Sequence, residues 1–168
     1  MAIFDNFKKN LLQKKISKNK HQRDIKILPL SSYHNILIII DSSKNEHSLK
    51  THLELVFQNA KFTNLTFRDN KIDESNGFTY TFYPTDMGFG KIKNQRLLGL
   101  INTNFDLVID FVSNQTELDF FVQHSKSALK IGALNATKNY LYDLLIEKGK
   151  TDSDYITNIK TQINLLSK

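Results

Sequence analysis

Two aspartates each end a run of apolar residues that is typical of a buried β-strand. Asp41 follows Ile36–Ile40, and Asp110 ends the run that begins at Phe105. We predict that the two runs form neighbouring parallel strands, which would place both carboxylates at one edge of the sheet, where ligands bind in doubly wound folds. There a carboxylate pair could share a divalent cation or do acid/base chemistry. The alternative is that each aspartate ends its strand and caps the next helix.

Three serines would line the same edge, and together with the two aspartates they form a candidate small-molecule site. A phosphorylated or sugar-like ligand would suit these hydroxyl groups. The serines are Ser42, Ser43 and Ser113. No nucleophile, base and orienting group stand at a recognised spacing, so we predict no catalytic residue, no metal and no cofactor.

The remaining motifs favour structure over chemistry. The sequence Gly88-Phe89-Gly90-Lys91 lacks the further Gly and Ser/Thr positions of a phosphate-binding loop, so it predicts a tight turn before the next helix. His47 and His52 are five residues apart, whereas a helical metal-binding pair needs a spacing of three or four. Lys126 and Lys130 flank a predicted strand, and we expect them to be solvated rather than bound to an anion.

Positive charge is concentrated at the N-terminus. Residues 1–28 hold eight bases and two acids, while the other 140 residues hold 15 of each and are neutral. Apolar residues at spacings of three and four from Ile3 to Ile16 predict an amphipathic helix. The candidate contacts to an anionic surface are Lys8, Lys9, Lys14, Lys15, Lys18, Lys20 and Arg23.

Composition narrows the class of protein. The chain has 168 residues, of which 40% are hydrophobic, and this suits one domain with one core. It has no cysteine, which excludes disulfides, thiolate zinc sites and a cysteine nucleophile. Its longest apolar run is far shorter than the roughly 20 residues of a membrane-spanning helix, so we expect a cytoplasmic protein. Lysine outnumbers arginine 20 to 3, which is typical of an AT-rich bacterial genome.

The order of predicted elements favours an α/β fold. After the N-terminal helix and connector, strands alternate with helices through most of the chain, and a final helix follows Thr151-Asp152-Ser153-Asp154. A helix also begins with the capping pair Ser43 and Glu46, and short strands are predicted within 128–132 and 140–146. We therefore predict a three-layer, mostly parallel Rossmann-like sheet in residues 33–168, preceded by a basic helix and connector in residues 1–32.

Several segments resemble a functionally uncharacterised bacterial family of this chain's length, a domain of unknown function. The matching segments are the Lys-rich helix, Ile38-Ile39-Ile40-Asp41, Phe89-Gly90-Lys91, Phe105-Asp106-Leu107-Val108-Ile109-Asp110, the segment from Ser125 to Gly132, and Tyr142-Asp143-Leu144-Leu145-Ile146. Residues 105–111 and 130–132 are also similar to the N-terminal domain of heptosyltransferase-like glycosyltransferases. This second likeness implies the fold alone, because such enzymes need a further domain for the nucleotide sugar.

Three functional hypotheses remain open. The leading one is a non-catalytic accessory domain that binds an anionic surface, such as RNA or the ribosome, through its basic helix. The second is a small-molecule site, enzymatic or not, near Asp41 and Asp110. The third is peripheral attachment of the helix to a membrane. The helix could also bind another protein or pack only on its own domain.

Overall fold

A computed structural model describes residues 24–41, 46–68, 79–88, 91–112, 115–136 and 138–167. The elements in chain order are β1 (Asn35–Asp41), α1 (Glu46–Val56), β2 (Lys61–Phe67), β3 (Thr79–Phe82), β4 (Met87–Gly88), β5 (Lys91–Ile92), α2 (Gln95–Asn102), β6 (Asn104–Asp110), α3 (Thr116–His124), β7 (Lys126–Ala133), β8 (Leu144–Ile146) and α4 (Asp152–Leu166). The predicted basic N-terminal helix and the predicted cap at Ser43 lie outside the described residues.

Six strands form one sheet in the order β3-β2-β1-β6-β7-β8, and every neighbouring pair is parallel. The chain starts in the middle of the sheet at β1, builds outward to β3, and then returns to place β6 on the other side of β1. This reversal is the strand order of a doubly wound α/β sheet. The predicted α/β class is confirmed, as is the predicted pairing of β1 with β6.

Both faces of the sheet are covered, which explains the unbroken apolar sequence of β1. Leu37 and Ile39 lie in a core formed with α2 and α3. Ile36, Ile38 and Ile40 lie in a second core formed with α1 and α4. All five side chains are at most 1% exposed. Successive residues of a strand point to opposite faces, so only a strand with helices on both sides buries every position.

Local hydrogen bonds set the starts of two helices. In α2, Asn94 accepts the backbone N–H of Arg96 at 3.0 Å. In α4, Thr151 Oγ1 accepts the N–H of Asp154 at 3.1 Å, while the Asp154 carboxylate accepts the N–H of Thr151 at 2.9 Å. Because of this reciprocal cap, α4 begins at Asp152 and not after Asp154 as predicted. Within the described part of the chain, no helix is long and apolar enough to cross a membrane.

The structure corrects two further predictions from the sequence. Segment 140–146 is not strand throughout, because a turn of 3₁₀ helix, Asn139–Leu141, precedes the three-residue strand β8. The Gly88–Lys91 segment belongs to the antiparallel pair β4 and β5, whose intervening residues 89 and 90 lie outside the description. The chain enters α2 two residues after β5, so a strand pair, and not a single turn, precedes this helix.

Strand β8 covers only part of the outer edge of β7, and two residues outside any strand, Lys26 and Asp143, form hydrogen bonds with the rest of it. The strand β8 pairs only with Ile131–Ala133 of β7. Earlier along β7, the backbone N–H of Lys26 donates to the carbonyl of Ala128 at 3.2 Å. Next to it, Asp143 accepts the N–H of Lys130 on its carboxylate at 2.8 Å and donates its own N–H to the Lys130 carbonyl at 2.9 Å. The connector before β1 is therefore attached to the body through Lys26.

Candidate functional site

The carboxyl ends of β1 and β6 lie side by side at the point where the strand order reverses. Ile39 of β1 is paired with Asp110 of β6, and the N–H of Phe111 donates to the Ile39 carbonyl at 2.9 Å. Asp41 follows at the exposed end of β1. The two aspartates thus share one edge of the sheet, as the apolar runs before them predict. The candidate residues Ser42, Ser43 and Ser113 lie outside the described residues.

Asp110 accepts hydrogen bonds from two tyrosines that come later in the chain, Tyr142 and Tyr155. Its carboxylate, 1% exposed, accepts the hydroxyl of Tyr142 at 2.5 Å and the N–H of Val112 at 2.8 Å. The Tyr155 hydroxyl donates to the Asp110 backbone carbonyl at 3.4 Å. Burial and the Asp110 charge both raise the pKa of Tyr142, so the phenol keeps its proton and donates. These contacts hold the Asp110 carboxylate inside the fold, and neither Tyr142 nor Val112 belongs to α3, the next helix.

A second buried carboxylate, Asp119 of α3, belongs to the same cluster. It is 1% exposed and forms an ion pair with Lys138 Nζ, which also lies 3.4 Å from Thr116 Oγ1. Burial raises the pKa of Asp119 to about 6, while Lys138 lowers it and the nearby Asp110 charge raises it. Asp119 was not among the candidates chosen from the sequence. Its position inside the apolar stretch of α3 is the signal that could have found it.

Lys130 corrects the expectation that both lysines of β7 are solvated. Lys126 is exposed, but Lys130 is 1% exposed, and its Nζ donates to the carbonyls of Val122 and, at 3.1 Å, Gln123. These carbonyls belong to the last turn of α3, where backbone acceptors have no partner within the helix. A cation at a helix C-terminus is also favoured by the helix dipole. Lys130 therefore joins α3 to the sheet.

The histidines do not form a metal centre in the described part of the chain. His47 and His52 are exposed on α1, and His52 Nδ1 lies 2.8 Å from the carbonyl of Ser48. Within residues 24–41, 46–68, 79–88, 91–112, 115–136 and 138–167, no three histidine or acidic side chains are grouped so that they could hold a metal ion.

A cavity of about 500 Å³ opens at the opposite, amino-terminal edge of the sheet, beside the starts of β6 and β7. Its polar wall includes Asn104, Gln123, His124 and Lys126. The His124 ring stacks on Phe120 with centroids 4.0 Å apart and an interplanar angle of 24°. The residues that line the cavity are Asp24, Asn104, Phe105, Gln123, His124, Ser125, Lys126, Ser127 and Ala128. The cavity could not be located from the sequence, because α3, β6 and the connector build it together.

The candidate basic contacts precede this cavity in the chain. Asp24 lines the cavity and forms an ion pair with Lys26 at 3.2 Å. Ile27 and Leu28 then pack against the core on the side of α1 and α4. Lys8, Lys9, Lys14, Lys15, Lys18, Lys20 and Arg23 all lie outside the described residues. The basic segment therefore joins the body at the amino-terminal edge, away from Asp41 and Asp110.

The fold and its edges define a doubly wound α/β protein of the Rossmann-like class. Within that class, the chain belongs to a family of unknown function, DUF6913, which it matches over residues 5–167. The match includes most of the basic segment as well as the α/β body. Comparison with curated proteins and with solved structures gave no match. The weaker likeness to heptosyltransferase-like glycosyltransferases stays a prediction.

Proposed function

We propose that this protein is a non-catalytic RNA-binding module whose basic N-terminal segment, residues 1–28, contacts the phosphates of a structured RNA such as that of the ribosome. The observation that carries the proposal is the separation of charge: residues 1–28 carry a net charge of +6, and the remaining 140 residues are neutral. Exposed charges act over a Debye length of about 8 Å at physiological salt, so clustered lysines act together on a phosphate chain.

The attachment of the segment to the body supports this proposal. The Lys26 N–H is hydrogen-bonded to Ala128 of β7, and the Leu28 N–H donates to the Tyr33 hydroxyl at 3.0 Å. The C-terminal end of the basic segment is thus held on the sheet. A positively charged segment with one fixed end loses less orientational freedom on binding than a free tail does, and the body restricts where its partner can lie.

The charge of the segment can be tested with a matched pair of variants. One variant changes Lys8, Lys9, Lys14 and Lys15 to Gln, which preserves helix propensity. The control makes the same change at four exposed lysines of the body: Lys91, Lys93, Lys150 and Lys160. The two variants have equal net charge, so any difference in RNA affinity reports the position of the charge.

Affinity for a labelled ribosomal RNA fragment should be measured over a range of salt concentrations. For the N-terminal variant we expect weaker binding and a salt slope that is shallower by roughly 0.7–0.9 for each phosphate that no longer pairs with a lysine. The control variant should stay close to the wild type. Equal weakening in both variants, or no RNA binding by the wild type at low salt, would overturn the proposal.

If the basic segment binds a membrane instead of RNA, a second pair of substitutions should give a different result. Interfacial helices need apolar burial and charge together, so Phe4→Ser with Phe7→Ser would then abolish binding to phosphatidylglycerol vesicles. An RNA-binding protein should retain RNA affinity in this double variant and should not bind the vesicles. Vesicle binding that depends on both sets of residues, without RNA binding, would assign the segment to a membrane instead.

A small-molecule site at the carboxyl edge is the second candidate, and the reversal of strand order between β1 and β6 favours it. Ligands of doubly wound sheets bind in the crevice outside the strand ends at this position. A phosphorylated or sugar-like ligand near Asp41 should be released when the natively purified protein is denatured, and mass spectrometry would identify it. Its amount should fall in Asp41→Asn. No released metabolite, or equal amounts in both proteins, would remove this candidate.

A further inference from the structure

The cavity at the amino-terminal edge lies where the basic segment joins the body. Asp24 forms part of its wall, and Arg23, the last candidate phosphate contact, is the preceding residue in the chain. The exposed side chain of Lys126 adds a cation to the same wall. An RNA strand that follows the basic segment towards the body would therefore arrive at this cavity.

His124 lines the cavity, and its ring is held in place by Phe120. Phe120 covers one face of the ring, and His124 Nδ1 lies 2.9 Å from the carbonyl of Phe120. Both contacts lie within α3, so the orientation of the ring is set before any ligand arrives. Unpaired bases bind proteins by stacking on such rings, and histidine serves this purpose as do the aromatic residues.

The rest of the wall suits the edge of a base and its phosphate. Asn104 is exposed, and its amide offers both donors and an acceptor, which is the pairing chemistry of a base edge. Lys126 supplies charge to a phosphate group. One cavity wall thus combines stacking, hydrogen bonding and charge.

The size of the cavity limits the ligand. Its volume of about 500 Å³ lies within the range of about 300–1,000 Å³ found for small-molecule sites, which suits a ligand of the size of one nucleotide. We infer that this cavity receives one unpaired nucleobase of the bound RNA, stacked on His124, with its phosphate at Lys126. This inference rests on the proposed RNA-binding function, and it names the nucleotide-binding part of that same surface.

The test uses the full chain and a short fluorescent oligouridylate. His124→Ala should weaken binding by about 5- to 150-fold, the range for loss of one stacked base, without changing the salt slope. His124→Phe keeps a stacking ring and should bind as the wild type does, which guards against a folding defect in the alanine variant. His52→Ala, at an exposed position on α1, is the matched control and should have no effect.

Two further probes separate stacking from charge. A strand of the same length built from abasic sugar-phosphates should bind the wild type as weakly as oligouridylate binds His124→Ala. Lys126→Gln should make the salt slope shallower by roughly 0.7, the value for one phosphate of a single strand. Its control is Lys160→Gln on α4, which should leave the slope unchanged.

The outcomes distinguish this inference from the proposed function. If His124→Ala and the abasic strand both bind as tightly as their references, while the N-terminal lysine variant still loses affinity, the nucleobase site is overturned and RNA binding stands. If the wild type binds no RNA at any salt concentration, both proposals fall together.

Discussion

Replacing Asp119 by Asn should change how the stability of the protein depends on pH. Burial raises the pKa of this carboxyl from 3.8 to about 6, although the ion pair with Lys138 acts in the opposite direction. The folded protein therefore holds this proton to a higher pH than the unfolded chain does. The contribution of Asp119 to stability is complete below pH 3.8 and is lost as the pH rises through about 6.

The expected magnitude follows from the size of the pKa difference. A change from 3.8 to about 6 is roughly two units, and each unit corresponds to about 1.4 kcal/mol. Across the whole titration, from well below pH 3.8 to well above pH 6, the free energy of unfolding of the wild type should therefore fall by roughly 3 kcal/mol relative to that of Asp119→Asn, and roughly 2 kcal/mol of this change should occur between pH 4 and pH 6. The ion pair with Lys138 forms only as Asp119 ionises, and its effect is already contained in the pKa of about 6, so the test concerns the slope with pH.

Urea unfolding followed by far-ultraviolet circular dichroism, repeated at several pH values, measures this difference. The control is Asp154→Asn at the start of α4, where hydrogen bonds from the backbone and side chain of Thr151 lower the pKa of an exposed carboxyl. The stabilising effect of Asp154 is therefore lost only as the pH falls below its usual pKa. Parallel stability curves for the wild type and Asp119→Asn from pH 4 to 6 would refute the assignment, as would divergence of opposite sign.

Two further substitutions probe the packing at the same edge. Tyr142→Phe removes the donor to the Asp110 carboxylate, a bond worth about 1.5–3 kcal/mol, and should lower the Tm by about 3–12 °C in thermal unfolding. Tyr155→Phe removes only a 3.4 Å hydrogen bond, so a larger shift there would contradict this account of Asp110. Gly132→Ala would place Cβ 2.6 Å from the Tyr142 ring and should lower the free energy of unfolding by about 1–3 kcal/mol. An unchanged urea midpoint would mean that the ring moves aside freely.

The fold could be predicted because its signals are local. The run Ile36–Ile40 leaves no polar face, so it indicates a strand covered on both sides, and the same argument applies to the run that ends at Asp110. Their shared edge follows from parallel pairing. The segment 140–146 was mispredicted because its apolar residues are typical of a strand, whereas Tyr142 turns inward to Asp110 and interrupts the strand.

The partners of the buried charged residues near the sheet could not be predicted from the sequence. Asp119 and Lys138 are 19 residues apart, and only the tertiary fold brings them together. Lys130 looked like a surface residue because lysine is seldom buried without a partner. Its partners are backbone carbonyls of α3, which have no signature in side-chain sequence. The role of the basic segment stays a prediction, because its lysines lie outside the described residues.

The hydrogen bonds that cover the outer edge of β7 affect how readily the protein aggregates at high concentration. An uncovered strand edge presents N–H and C=O groups that can pair with another molecule and start aggregation. Here β8 covers only three residues of β7, and Lys26 and Asp143 occupy backbone groups of Ala128 and Lys130 nearer its start. A chain that is cleaved after residue 28, or that carries Asp143→Ala, would open part of this edge. Colloidal stability thus depends on a connector and one carboxylate as well as on the sheet itself.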